Sequence, residues 1–209
     1  GYPSERIRRL GQLLLGYTPG GPVLVQSRQP HAAAPSWISR ARRAWYRAET
    51  RNEPAPDHDR YWEHARQRYD LCIDRTAAYL AWRYTACPTW TYRFLYLRDW
   101  RGLIRGFAVT RVENGLGLLL EYVPPEDDLY GARLLLTLID ETLLRDGATR
   151  AEAWFPPASR EFALLRERGY RDEPHPGGIY YVGRSFHPEL DVEWALAHFH
   201  TSMGDCDIC

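Results

Sequence analysis

"LLLEYVPPEDDLYGARLLLTLIDETLLRDGATRAEAWFPPASREFALLRERGY", Leu118 to Tyr170, is the stretch from which the fold is read. It opens inside an apolar run, "LGLLLEYV" (116–123), that stops at Pro124-Pro125, the length and boundary of a strand. From 130 to 146, Leu134, Leu135, Leu138, Ile139 and Thr142 recur at helical spacing, and Gly147 ends the helix. "RAEAWF" reads as the next strand, 159–168 as a second helix, and Gly169-Tyr170 closes it. A strand, a long helix and a second strand make a crossover, which sets two strands parallel and lays the helix on the sheet.

Upstream, Asn114-Gly115 is a hairpin signal joining the strands 103–111 and 116–123, and "TYRFLYLR" (91–98) pairs before them. Helices are expected at 58–70 and at 75–84, the second capped by Asp74 and stopped before Pro88. A helix at 37–50 would carry its arginines on one side, and the prolines of "NEPAPD" would break it. Residues 5–15 read as a helix between Ser4 and Gly16, followed by a strand in "PVLVQSR". "GIYYVG" (178–183) is another strand. The tail 191–200 is ambiguous, and the alternation of Trp194, Leu196 and His198 favours a strand. From residue 58 the order is α-α-β-β-β-α-β-α-β-β, an antiparallel meander continued by a crossover: an α/β or α+β domain.

Lys plus Arg and Asp plus Glu are both 27 in 209 residues, so the chain lacks the basic excess of a nucleic-acid binder. No apolar run has the length of a membrane span, and no secretory leader is visible, so a cytoplasmic protein is expected. Four scattered cysteines do not make a disulfide scaffold. The chain lacks an initiator Met, and the expectation is a piece of a longer protein.

One pattern recurs. "GYPSERIRRLGQLLLGY" (1–17) and "WFPPASREFALLRERGY" (154–170) both carry aromatic-Pro, then a helical run, then Gly-Tyr thirteen residues after the proline. Two copies of one supersecondary unit, or two unrelated helices with Gly stops, would produce it.

The order of elements over Leu118–Tyr170 resembles that of the GNAT superfamily of acyl-CoA-dependent N-acyltransferases. "YLAWRYTACPTWTY" (79–92) looks like a lead-in of two-lobed members. The resemblance implies a mixed, mostly antiparallel sheet flanked by helices. It divides the chain into a helix-strand remnant of a preceding lobe (1–30), a linker with a basic helix (31–57) and a GNAT-like lobe (58–209). The partners implied are that missing N-terminal lobe or a partner subunit, and a small-molecule, sugar or peptide amine as acceptor.

In such a fold acetyl-CoA or another acyl-CoA places its pyrophosphate at a helix mouth, where backbone N–H groups are free. The resemblance puts Val123, Tyr130, Gly131, Ala132 and Arg133 there. The family pattern is Arg or Gln, two residues, Gly, one residue, then Gly or Ala. In "DLYGAR" (128–133) Gly131 keeps the central glycine, Asp128 puts an anion where a cation or amide is expected, and Arg133 replaces the last small residue. The family's acid, a Tyr four residues before the Gly-aromatic ending, is here Leu165. Glu121, the one carboxylate of its strand, is the candidate base, against a plain edge-facing or salt-bridged role. Arg83, Tyr84 and Tyr92 are candidates for the substrate groove.

His198, His200, Asp205, Cys206, Asp207 and Cys209 in the tail are metal-ligand types, but nothing in the spacing supplies two separated pairs, and no metal is expected. Cys72 and Cys87 read as small core residues. Two functions stay open: a GNAT-like acyltransferase, or a non-catalytic lobe that binds substrate or a partner with a degenerate CoA loop.

Overall fold

The computed structural model describes residues 1–31 and 45–206. Its elements are α1 (Glu5–Leu15), β1 (Thr18–Pro22), β2 (Leu24–Arg28), β3 (Tyr46–Arg51), α2 (His58–Ala65), β4 (Leu71–Cys72), α3 (Ala77–Leu80), β5 (Arg93–Asp99), β6 (Ile104–Glu113) and β7 (Leu116–Val123). They continue with α4 (Leu129–Arg145), β8 (Arg150–Ala153), α5 (Arg160–Glu167), β9 (Arg171–Pro174), β10 (Tyr180–Gly183), α6 (Val192–His198) and β11 (Phe199–His200).

A seven-stranded sheet runs β3-β5-β6-β7-β8-β2-β9, with β7 at its centre. β5, β6 and β7 form the antiparallel meander. Asn114 and Gly115 turn the last hairpin with φ of 49° and 80°, values that an Asn-Gly pair adopts at least cost. α4 then crosses the sheet and β8 returns parallel to β7, Leu116–Leu119 against Arg150–Ala153. β2 lies between β8 and β9, antiparallel to both. Two small sheets, β1-β10 and β4-β11, and an isolated antiparallel bridge between Ser4 and Ile179 stand beside the seven-stranded sheet among the described residues.

Each face of the sheet carries a core. Leu119 and Tyr122 pack with Leu135, Ile139 and Leu143 of α4 and with Phe162 and Leu165 of α5. On the other face Leu118, Leu120 and Val123 meet Trp62 of α2, Leu80 of α3, Tyr84 and Met203. Full burial of such a side chain contributes about 1.5–3 kcal/mol, so these two layers dominate stability.

Several segments depart from the sequence reading, and β1, β4 and β9 are strands where none was expected. Most of the helix expected at 37–50 lies outside the described residues, and from Tyr46 the chain is a strand, because β3 pairs antiparallel with β5. The helix at 58–70 is α-helical only to Ala65, with a 3-10 turn over Arg66–Arg68. The helix expected at 75–84 begins after Thr76, whose hydroxyl caps Tyr79 N, and widens into a π-turn over Ala81–Thr85. The tail is a helix, not a strand: Asp191 accepts from the backbone N–H of Glu193 and Trp194, and Trp194 stacks on His198 one turn later.

Candidate functional site

β7 is irregular at its centre. Val109 pairs with Glu121 but Thr110 pairs with Leu119, so Leu120 is an extra residue that interrupts the ladder. Such bulges re-aim side chains and loosen pairing beside functional sites. Past Leu119 and Ala153 the parallel β7–β8 pairing ends. Beyond the bulge, Glu121 faces the α2–α3 side.

Glu121 is fully buried. Its Oε2 accepts from Arg75 Nε at 2.7 Å and from Ser202 Oγ at 2.9 Å, and its Oε1 accepts from the Tyr84 hydroxyl at 2.8 Å. Arg75 Nη2 also donates to Asp205 Oδ2 at 2.7 Å. One guanidinium thus serves two buried carboxylates. Burial, opposed in part by Arg75, pushes Asp205 up to about 6. Burial would lower Arg75, but Glu121 and Asp205 outweigh it and hold it well above its ordinary value.

The C-terminal segment closes over this network. Ser202 and Asp205 form a capping box on a 3-10 turn over Met203–Asp205. Arg83 Nε donates to Gly204 O at 2.9 Å and its Nη2 to Cys206 O at 2.5 Å. Gly204 is pressed against the bulge: a methyl group there would drive into the Tyr84 hydroxyl and stand 2.8 Å from Glu121 Oε1 and 3.1 Å from Leu120 O. Nearer the mouth of the parting strands, His200 stacks on Tyr69 with ring centroids 4.0 Å apart, and the Tyr69 hydroxyl donates to Glu161 at 3.0 Å. Burial, with Arg75 and Arg68 adding to it, pushes the His200 imidazole down to about 3, and burial raises Glu161.

Arg83, Tyr84 and Tyr92 are brought together. With Cys87, Trp90, Leu120 and Gly204 they line a cavity of about 200 Å³ beside the bulge. Burial would raise the Cys87 thiol, but the backbone N–H groups of Thr89 and Trp90 and the Tyr92 hydroxyl outweigh it, and its pKa lies below the ordinary value.

The β7–α4 turn gathers the residues expected at the cofactor. Val123 is buried, its carbonyl 3.4 Å from the Tyr61 hydroxyl. The Ala132 carbonyl accepts from Tyr122 at 3.0 Å, and Tyr130 lies near Tyr46 with centroids 6.5 Å apart. The Tyr46 hydroxyl donates to Asp128 Oδ2. A methyl group on Gly131 would stand 2.9 Å from Asp128 Oδ2, 3.0 Å from Pro125 Cγ and 3.1 Å from Tyr46 Oη, so the approach over that glycine is filled by an acid and a phenol. Arg133 points elsewhere, to Glu167 Oε2 at 3.0 Å. Glu126, Asp127 and Asp128 put three acids on the turn and Arg68 and Arg160 donate to its Pro124 and Pro125 carbonyls at 2.8 and 2.6 Å, but the acid and phenol that fill the space over Gly131 do not fit a pyrophosphate. Leu165 is buried in the α4 core.

The sequence reading missed Arg75, Ser202 and Tyr46 and weighed Asp205 as a metal-ligand type alone; Arg75, Ser202 and Asp205 are partners within the Glu121 network. Arg75, Ser202 and Asp205 lie 46, 81 and 84 positions from Glu121, beyond the reach of any local spacing rule. His200 is stacked on Tyr69 and Asp205 is bonded to Arg75, while Asp207 and Cys209 lie outside the described residues.

No family model and no curated protein matches the sequence. Solved structures do. A conserved protein of unknown function from Enterococcus faecalis V583, described as a probable N-acyltransferase, superposes with a TM-score of 0.55 at 9% identity over 86% of this chain and 43% of its own. A GCN5-related N-acetyltransferase from Sphaerobacter thermophilus gives 0.55 at 16% identity, over 91% and 59%. A tandem GNAT protein from the clavulanic acid biosynthesis pathway gives 0.50 at 17% identity, over 85% and 59%. The chain therefore has the GNAT fold and spans roughly half the length of these structures.

Proposed function

From the GNAT fold, we propose that this chain takes part in acyl transfer to an amine as a lobe of an acyl-CoA-dependent N-acyltransferase. The bulged central strand supports this reading: it parts from β8 beside an aromatic cavity, the place where an acceptor could be held against a reacting group. In that cavity Tyr84, Tyr92 and Trp90 would form one aromatic wall against the acceptor, a small molecule, sugar or peptide bearing an amine. Arg83, fixed on the tail carbonyls, would frame its floor.

Acetyl-CoA or another acyl-CoA is the donor that this fold suggests. The β7–α4 turn of this lobe argues against its being held here. Asp128, engaged by Tyr46, stands over Gly131, and Glu121 is held by Arg75, Tyr84 and Ser202. These observations favour a second reading of the lobe's own part: it shapes the acceptor side while a preceding GNAT-like lobe or partner subunit supplies the donor. The thiols of Cys72 and Cys87 are free, which suits a reducing compartment such as the cytoplasm. Among the described residues no helix is long and apolar enough to cross a membrane.

Acetyltransferase assays on the encoded polypeptide, with Tyr92→Ala and Arg83→Ala variants, test the proposal. Loss of acceptor affinity with acetyl-CoA affinity retained is expected. Unchanged kinetics toward every amine tried would refute an acceptor role for the cavity.

A further inference from the structure

The recurring pattern in the sequence has a counterpart in the strand pairing. The first copy consists of α1, Gly16-Tyr17, β1 and β2; the second consists of α5, Gly169-Tyr170, β9 and β10. β1 pairs antiparallel with β10, and β2 pairs antiparallel with β9. Exchanging the two copies turns each pairing into the other. The helices obey the same relation. α5 lies on β2, where Gln26 Nε2 donates to Phe162 O at 3.0 Å, and α1 lies on β10, where the Tyr180 hydroxyl donates to Glu5 Oε2 at 2.7 Å.

The relation extends to the strand before each helix. The second edge of β2 carries β8, which leads through Phe155-Pro156 into α5. The second edge of β10 carries Gly1–Ser4, which leads through Tyr2-Pro3 into α1: Tyr180 N donates to Pro3 O and Val182 N to Gly1 O, both at 3.0 Å. Gly1–Ser4 thus stands where the exit of β8 stands in the other copy.

The symmetry stops at the cover. α5 buries Phe162, Leu164 and Leu165 against the long helix and the sheet. α1 fully buries only Gly11, while Ile7, Leu10, Leu13, Leu14 and Leu15 are exposed, Leu13 and Leu14 by 81% and 77%. Five large aliphatic side chains on one three-turn helix are more than a solvent face carries at random.

We propose that the α1 face and the edge of β10 form the interface with a second lobe of the same fold. The strand of that lobe runs into Gly1 beside β10, as β8 does beside β2, and its long helix and sheet cover α1, as α4 and the main sheet cover α5. The two hairpins are then exchanged between lobes. This rests on the GNAT reading of the fold and not on any activity, so a failed acyl-transfer assay leaves it standing.

The test compares the encoded polypeptide with the 209-residue chain. Amides of α1 should exchange hydrogen at least tenfold more slowly in the encoded polypeptide. Leu10→Glu with Leu14→Glu should lower its melting temperature by several degrees and leave that of the 209-residue chain unchanged. Equal exchange in both, an equal fall in both, or a polypeptide with no lobe of this fold ahead of Gly1 would overturn the proposal. So would a dimer of the 209-residue chain that the double substitution dissociates, since a second copy would then be the occupant.

Discussion

Arg75 holds Glu121 and Asp205 at once, its Nε 2.7 Å from one carboxylate and its Nη2 2.7 Å from the other, with all three side chains buried. The guanidinium ties the central strand to the C-terminal segment. Arg75→Met should therefore cost about 3–5 kcal/mol, because two buried carboxylates lose their counter-charge together. The midpoint of urea unfolding measures this. A loss below about 1 kcal/mol would mean that the segment 202–206 leaves the strand easily.

Gly204 permits that closure by having no side chain. Gly204→Ala should destabilise by about 1–3 kcal/mol, since the methyl group meets the Tyr84 hydroxyl and Glu121. Tyr84→Phe removes the oxygen nearest the new methyl, so Gly204→Ala should cost less in that background. A double-mutant cycle reads the difference, and strictly additive effects would contradict the packing described.

Acid should weaken the fold through His200. Its imidazole sits near 3 in the folded state against an ordinary value of 6.5. The unfolded chain therefore binds the extra proton first. Stability from this group is complete above pH 6.5 and is lost as pH falls toward 3, about 2 kcal/mol by pH 5. Asp205, raised to about 6, acts with the opposite sign: its contribution is largest below its ordinary pKa and declines as pH rises through 6. The comparison must therefore be between proteins. Relative to the parent, His200→Phe should gain about 2 kcal/mol in unfolding free energy between pH 7.5 and pH 5. No relative gain would show that His200 is not held neutral.

Arg133 is an exposed partner of exposed Glu167. Arg133→Ala should change stability by less than about 1 kcal/mol in thermal or urea unfolding, as for surface ion pairs in general. A larger loss would show that α4 and α5 depend on this contact.

The central elements were legible because local chemistry dictates them. Asn114-Gly115 placed the hairpin, and Leu116–Val123 was read with the bounds that β7 has. Gly147 and Gly169, with φ of 91° and 96°, ended the helices where a Cβ would be strained. β3 was not legible because its residues, Arg47, Glu49 and Arg51 among them, suit an exposed edge, and its partner β5 lies over 40 positions away. The tail misled because its alternating apolar pattern outweighed the cap at Asp191. At the site, Glu121 stood out as the one carboxylate of its strand, and Asp128 as an acid at the turn where the family resemblance expects a phosphate. What Glu121 binds could not be read, since Arg75, Tyr84 and Ser202 converge only through the fold. The placement of Tyr46 on Asp128 depends likewise on the edge strand that the sequence did not reveal.

The direct test of the central claim, that this lobe does not itself hold the acyl-CoA, is calorimetric titration of acetyl-CoA into the 209-residue chain. At an effective dielectric near 20, a carboxylate within about 4 Å of a phosphate charge opposes it by roughly 4 kcal/mol before screening, enough to turn a micromolar site into a roughly millimolar one. A Kd no tighter than roughly millimolar is expected, with Asp128→Gln binding more tightly than the parent. A micromolar Kd for the unmodified chain would contradict the claim and assign the cofactor to the β7–α4 turn.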